Sequence, residues 1–295
     1  MKKLFYAALL TLIAFSTSLN ADAKKKEIAF QMYSVRELIG DPGKYAQNHE
    51  KTLKELAQMG YTAIEAANYN DGKLYGVTPE QFKADIEAAG MKVFSSHVGH
   101  NLSAEELKSG NFENALKWWA QCIDAHKRAG MKYIVNPGIS FPNTLAEAEV
   151  ICKYLNKVGE MVNAAGMKFG YHNHSFEFNK VENKVWYDYM LEHTDADKVF
   201  FEMDVYWAVR GQVSPVEYFK KYPGRFTLLH IKDHREFGES GMVGFDAIFN
   251  NADKAGLKGW IVELEGSNRP SIMDGMKVCA DYVKAAKFVK PSYDK

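Results

Sequence analysis

The sequence predicts a single-domain α/β protein, a (β/α)8 barrel. Three observations predict it. Eight short β-rich runs recur at intervals of about 27 to 40 residues, the length of one strand–helix unit. Amphipathic segments with helical periodicity separate them. Five joints repeat one pattern, a helix tail, then Gly, then a strand: QMGYTAIEA, EAAGMKVFSS, RAGMKYIVN, AAGMKFGYH and KAGLKGWIVE. Glycine there suits the left-handed residue just past a helix end, and an apolar residue after it packs back on the last turn.

The N-terminus stands outside this scheme. Lys2 and Lys3 precede an apolar run from Leu4 to Phe15, and small residues follow, ending in Ala21-Asp22-Ala23. That is the pattern of a secretory signal peptide cleaved after Ala23. Residues 1–23 are therefore expected to be removed and 24–295 to form the barrel, in a periplasmic or secreted location. The apolar run is too short for a comfortable membrane span, so no membrane insertion is expected after cleavage.

The predicted strands are Ile28–Tyr33, Thr62–Ala66, Val93–His97, Tyr133–Asn136, Phe169–His172, Val199–Asp204, Phe226–Lys232 and Trp260–Glu265. Helical patterns cover Tyr45–Met59, Thr78–Ala89, Glu113–Ala129, Leu145–Ala165 and Pro215–Tyr222. Thr78-Pro79-Glu80 and Ser214-Pro215-Val216 read as a cap followed by Pro at the first helical position. Eight alternations favour a closed barrel over an open doubly wound sheet. The open sheet would want a Gly-rich phosphate turn after the first strand, and QMYSVRELIG has none.

Composition narrows the partners. Lys+Arg and Asp+Glu both number 37, so no basic footprint for nucleic acid or anionic membrane exists, which speaks against a nuclease. Aromatic residues make up 13%, enough for a filled core and a sugar cleft alike. Cys122, Cys152 and Cys279 are odd in number and lie in helical patterns, which reads as buried free thiols. Self-association into a homo-oligomer is left open.

In a parallel barrel, function gathers at the C-terminal strand ends. Those ends carry Tyr33 and Arg36, Glu65, His97 and His100, Asn136, His172, His174 and Glu177, Asp204, His230, Lys232 and Asp233, then Glu263 and Glu265. Residues two apart on a strand share a face. His172 and His174 form such a pair, as do His230 and Lys232, and Glu263 and Glu265. Their apolar neighbours Ile231 and Leu264 should face the helices. Imidazoles and carboxylates converging on one axis need a neutralising ion. His172, Asp204, His230 and Glu263 are the expected ligands of one divalent metal ion, Mn, Zn, Co or Mg.

YHNHSFEF, FEMDVYWAVRG, KKYPGRFTLLHIKDH, ESGMVGFDAIF and GWIVELE together resemble the xylose isomerase-like TIM barrels, the sugar phosphate isomerase/epimerase group. The resemblance covers nearly all of residues 24–295. Members hold one divalent ion with a Glu, an Asp, a His and a Glu at the ends of strands five to eight, which falls on His172, Asp204, His230 and Glu263. His172 departs from the commoner Glu, and Glu177 is the alternative fifth-strand ligand. Related dehydratases use a His two residues after the fifth-strand ligand and a Lys two after the seventh-strand His, here His174 and Lys232.

The resemblance implies a metal-dependent isomerase or epimerase acting on a small carbohydrate, a free or keto-sugar, through an enediolate or enolate. The alternative is a lyase or dehydratase that eliminates a β-leaving group from a 3-keto-glycoside through the same enolate. His174, Lys232 and Glu263 are the expected catalytic residues. Arg36, Glu65, His97, Glu177, Asp233 and Glu265 are the expected substrate contacts. A non-catalytic sugar-binding protein would lack the metal set or the proton-transfer pair.

Overall fold

The five glycines that close helices in the sequence pattern, Gly60, Gly90, Gly130, Gly166 and Gly256, all have positive φ, from +79° to +108°. Each turns the chain from a helix on the outside back into the barrel wall. The computed structural model describes residues 26–293, and the segment read as a signal peptide, residues 1–23, lies outside the described residues.

The wall has eight strands: β1 (Ala29–Gln31), β2 (Ala63–Ala66), β3 (Lys92–His97), β4 (Tyr133–Asn136), β5 (Lys168–His172), β6 (Val199–Asp204), β7 (Leu228–Ile231) and β8 (Gly259–Val262). All neighbours pair in parallel, and β8 pairs with β1 to close the barrel. The predicted (β/α)8 architecture is thus the observed one. Flanking helices include Pro42–Met59, Pro79–Ala88, Glu113–Arg128, Leu145–Ala164, Pro215–Lys221 and Ile272–Ala285. Thr78 and Ser214 cap their helices as their sequence context predicts, accepting from the backbone N–H of Gln81 and Glu217, with Pro at the first turn. The helix Trp186–His193 was not among those read from periodicity. Among the described residues, no helix is long and apolar enough to cross a membrane.

Several strands stop earlier than predicted. β1 ends at Gln31, whose side chain accepts from Tyr33 N and starts a tight turn over Met32–Val35. β7 and β8 leave the ladder before Lys232 and Glu263, although Glu263 N still donates to Ile231 O at 3.0 Å and keeps the chain extended.

The barrel has two apolar layers. Ile231, Leu229, Val262 and Leu264 pack outward in the large cluster shared with the helices. Inside the barrel, Ala29, Tyr133, Val135, Phe200, Leu228 and Ile261 form a separate plug. Gly170 makes room for it, because a Cβ there would overlap the Phe200 ring. Two residues beyond the plug, on the same inward faces, come Glu202, His230 and Glu263. The plug is the apolar base on which the polar residues stand.

Candidate active site

The inward residues form two tiers. In the lower tier, strand register sets His172 of β5 beside Glu202 of β6. His97, from the end of β3, and Glu65, from β2, complete the ring, and Glu65, Glu202 and His230 are fully buried. Glu202 Oε2 lies 2.6 Å from His97 Nε2, 3.1 Å from His172 Nδ1 and 3.4 Å from His230 Nε2. Glu65 Oε1 lies 2.6 Å from His230 Nε2 and 3.1 Å from His97 Nε2, and it accepts from Gln31 Nε2 at 2.9 Å. Two ligands of one tetrahedral ion at ~2.0–2.1 Å bond length stand roughly 3.3 Å apart. The 2.6 Å separations are therefore charge-assisted hydrogen bonds. The lower tier is a carboxylate floor that braces three imidazoles.

Its charges are strongly perturbed. Burial would lower the His230 and His97 imidazoles, but the Glu202 and Glu65 carboxylates overcome it and raise both. Burial would raise Glu65, and His97 and His230 overcome it, holding the carboxylate ionised. Glu202 is raised by burial and then by the Glu65 charge. Burial and the neighbouring cations hold His172 well below its usual range, so it stays neutral.

The upper tier holds Asp204, His230 and Glu263, whose ligand atoms lie within 4.8 Å of one another. His230 belongs to both tiers. Its Nε2 faces Glu65, and its Nδ1 lies 3.4 Å from Glu263 Oε2, a spacing that two ligands of one ion can adopt. Asp204 Oδ1 accepts from Trp207 N at 2.8 Å, capping the helix Val205–Arg210, while its Oδ2 is buried without a hydrogen-bond partner. Burial pushes the Asp204 carboxyl up to about 7. A buried carboxylate oxygen lacking a donor, an imidazole braced from behind by a carboxylate, and a second carboxylate fit a divalent cation held by three side chains with positions left for substrate. The predicted four ligands fall into two overlapping groups able to hold an ion, which share His230: Asp204, His230 and Glu263 above, and His97, His172, Glu202 and His230 below.

Above these residues stand His174 and Lys232. Lys232 Nζ lies 3.2 Å from Glu263 Oε2 and 2.5 Å from Glu265 Oε1, and it sits 4.9 Å from the Trp207 ring centroid and 5.9 Å from that of Tyr206. Burial would lower the ammonium, and Glu263, Asp204 and Glu265 outweigh it, so Lys232 is raised and stays charged. Glu263 is held well below its usual range, because Lys232 and His230 overcome the opposing effect of its burial. His174 is lowered, first by burial, and its buried Nδ1 has no hydrogen-bond partner. A neutral imidazole with an unused nitrogen and a charged ammonium make a base and an acid.

The expected substrate contacts separate into two groups. Arg36 lies at the rim, donating to Tyr33 O at 3.0 Å and Glu265 O at 3.1 Å, and Glu265 stays partly exposed beside Lys232. His97 is nearly buried and held by the floor. Glu177 and Asp233 require correction, since each is buried with both carboxylate oxygens engaged by protein donors, whereas Glu65 is buried with Oε1 engaged and Oε2 without a hydrogen-bond partner. Glu65 braces His230 and His97. Glu177 accepts from Tyr171 Oη at 2.9 Å and His174 N at 2.8 Å, which also removes it as the alternative ligand. Asp233 accepts from His234 N, Gly238 N and Ser240 Oγ, and so shapes its own loop. Sequence reasoning missed Glu202, although it lies two residues before Asp204 and therefore on the same face. Gln31 carried no such signal.

Comparison with known proteins agrees with this architecture. A family described as the xylose isomerase-like TIM barrel matches residues 53–288. Inosose dehydratases of Geobacillus kaustophilus and Clostridium botulinum are 27% identical over 207 residues and 25% identical over 279 residues. The matches cover 63% and 82% of this chain, and 62% and 88% of those proteins. The chain thus spans under two thirds of the Geobacillus enzyme. A crystal structure described as a sugar phosphate isomerase/epimerase from Parabacteroides distasonis superposes with a TM-score of 0.81 at 37% identity, covering 90% of this chain and 100% of that one. An IOLI protein with a bound zinc atom shares the fold at 14% identity, with a TM-score of 0.66 over 89% of this chain and 99% of that one. The chain belongs to the xylose isomerase-like TIM barrel family.

Proposed function

We propose that this protein enolises a keto-sugar or keto-polyol and eliminates an oxygen substituent from the carbon beta to the carbonyl. One relationship carries the reading: Lys232 reaches Glu263 at 3.2 Å and Glu265 at 2.5 Å, so the Glu263 carboxylate is pinned, while His174 keeps a free buried nitrogen. A two-carboxylate epimerase mechanism needs a second mobile acid–base Glu at the end of β5, and His172 stands there. The similarity to inosose dehydratases supports elimination.

Asp204, His230 and Glu263 would hold the divalent ion, and Mn, Zn, Co and Mg are the candidates. When bound, the ion supplies Lewis acidity at the carbonyl oxygen, worth several kcal/mol. The side chains carry the protons. His174 Nδ1 takes the proton from the carbon next to the carbonyl, and that C–H electron pair moves into the enolate. The enolate re-forms the carbonyl and the new C=C bond as the β C–O bond breaks. Lys232 gives its proton to the departing oxygen, which leaves as water or an alcohol. Solvent then resets both side chains. Trp207 and Tyr206 wall this space and keep Lys232 out of bulk water.

Reprotonation of the same enolate on another carbon or face would give isomerisation or epimerisation, the reading that the Parabacteroides protein's description favours. The basic and apolar N-terminal pattern supports action outside the cytoplasm. The test is proton NMR in heavy water, with metal-loaded protein and a panel of keto-sugars, inososes and 3-keto-glycosides. Deuterium entering beside the carbonyl together with an unsaturated ketone is expected. Epimer formation without elimination would move the assignment to the second reading. No exchange with any panel member would overturn both.

A further inference from the structure

The exposed large apolar side chains among the described residues are Tyr33, Phe141 and Met242. All three lie on the loops that follow β1, β4 and β7, on the same face of the barrel as the candidate site. One of them is the end of a run of rings. The Trp207 and His174 ring centroids are 5.7 Å apart. His174 and Phe176 lie 5.9 Å apart with planes 12° from parallel. Phe176 and Phe141 lie 6.5 Å apart, edge to face. The run leads from Lys232, over Trp207, past the proposed base to the open rim, and each step is close to the length of one sugar ring.

Phe141 sits on a braced loop. Ser140 N donates to Asn101 Oδ1 at 2.8 Å, Asn143 N donates to Glu147 Oε2 at 2.8 Å, and Pro142 between them is buried. The ring therefore loses little freedom when something packs on it. No core contact explains its exposure, and its partner Phe176 is only half-buried.

We infer that Phe141 and Phe176 form an outer subsite for a second ring, so that the substrate is a glycoside of two linked rings and not a free monosaccharide. This rests on the enolisation reading and names its substrate class. The second ring is carried by the oxygen that departs, so it leaves as an alcohol if it is a sugar and as a phenol if it is an aryl group. An aromatic face accepts either the C–H face of a sugar or the ring of an aryl group.

The test is binding without turnover. Isothermal titration would compare methyl β-D-glucopyranoside, phenyl β-D-glucopyranoside and cellobiose on full-length metal-loaded protein, its Phe141→Ala variant and its Phe141→Trp variant. Phenyl glucoside or cellobiose should bind about 3- to 10-fold more tightly than methyl glucoside. That preference should fall toward one in Phe141→Ala and return in Phe141→Trp. Whichever probe shows it identifies the second ring as aryl or sugar. Equal affinities for all three probes, a preference unchanged in Phe141→Ala, or no binding of any probe would overturn the subsite. Thermal melts check that each variant folds. Deuterium exchange beside the carbonyl of a keto-monosaccharide, lost in His174→Ala, reports on enolisation separately, so the two readings fail independently.

Discussion

Glu177 Oε2 accepts a hydrogen bond from the backbone N–H of His174 at 2.8 Å, and its other oxygen accepts from Tyr171 Oη at 2.9 Å. The carboxyl is buried, and burial raises it to about 7. It clamps the turn that carries the proposed base. Glu177→Gln keeps an acceptor for His174 N, and its amide can donate to the Tyr171 oxygen. Turnover should fall less than about tenfold. Glu177→Leu leaves a buried N–H unpaired and should cost about 1–3 kcal/mol, lowering Tm by several degrees. Loss of all activity in the Gln variant would show a chemical role instead.

The floor predicts metal affinity. Glu65 braces His230 from the side opposite Glu263. Glu65→Ala should weaken divalent-ion binding by about 10- to 100-fold without removing a ligand. Metal content after dialysis against graded chelator measures this. Unchanged retention would mean that His230 is positioned by other means.

His174 and Lys232 should separate in kinetics. His174→Ala should slow both deuterium exchange and product formation by about 10²–10⁴-fold. Lys232→Met should spare exchange more than elimination, because its proton is needed only as the C–O bond breaks. Equal loss of both signals in Lys232→Met would place Lys232 in the first step.

Gly170 and Phe200 should be coupled through volume. A methyl group at Gly170 meets the Phe200 ring, so Gly170→Ala should destabilise by about 1–3 kcal/mol in urea unfolding. Adding Phe200→Leu should return part of that loss. Additive destabilisation would mean that the plug relaxes elsewhere.

Acid should weaken the fold through His126. Its Nδ1 donates to Cys122 O at 2.7 Å, and its Nε2 accepts from Ser96 Oγ at 3.0 Å. Burial lowers its pKa from 6.5 to about 4. Above pH 6.5 both folded and unfolded states are neutral at this position. As pH falls from there, the unfolded chain takes the proton first, and stability drops until the folded state is protonated near pH 4. The full loss is on the order of 3 kcal/mol. Urea midpoints at pH 7 and pH 5 should differ less in His126→Gln than in the parent protein.

Much of the barrel was legible in local chemistry. The glycine joints, the Thr78 and Ser214 caps and the outward parity of Ile231 and Leu264 depend on neighbours in sequence, and the structure keeps them. The period of two set His230 and Glu263 on inward faces, and the structure brings both together with Asp204. Glu202 was readable in principle, because FEMD puts it on the face of Asp204, but a residue one step below a strand end looks like core. Asp233 misled for the opposite reason. It sits next to Lys232, yet its parity turns it away from the axis and into its loop.

The sequence by itself determined which residues line the axis, because side-chain direction alternates along each strand whatever the strand pairs with. Only the tertiary structure decided which of them act together. Register lifts His230 beside Asp204 and sets His172 beside Glu202. That offset, absent from any single strand, spreads one expected ring of ligands over two overlapping clusters that share His230.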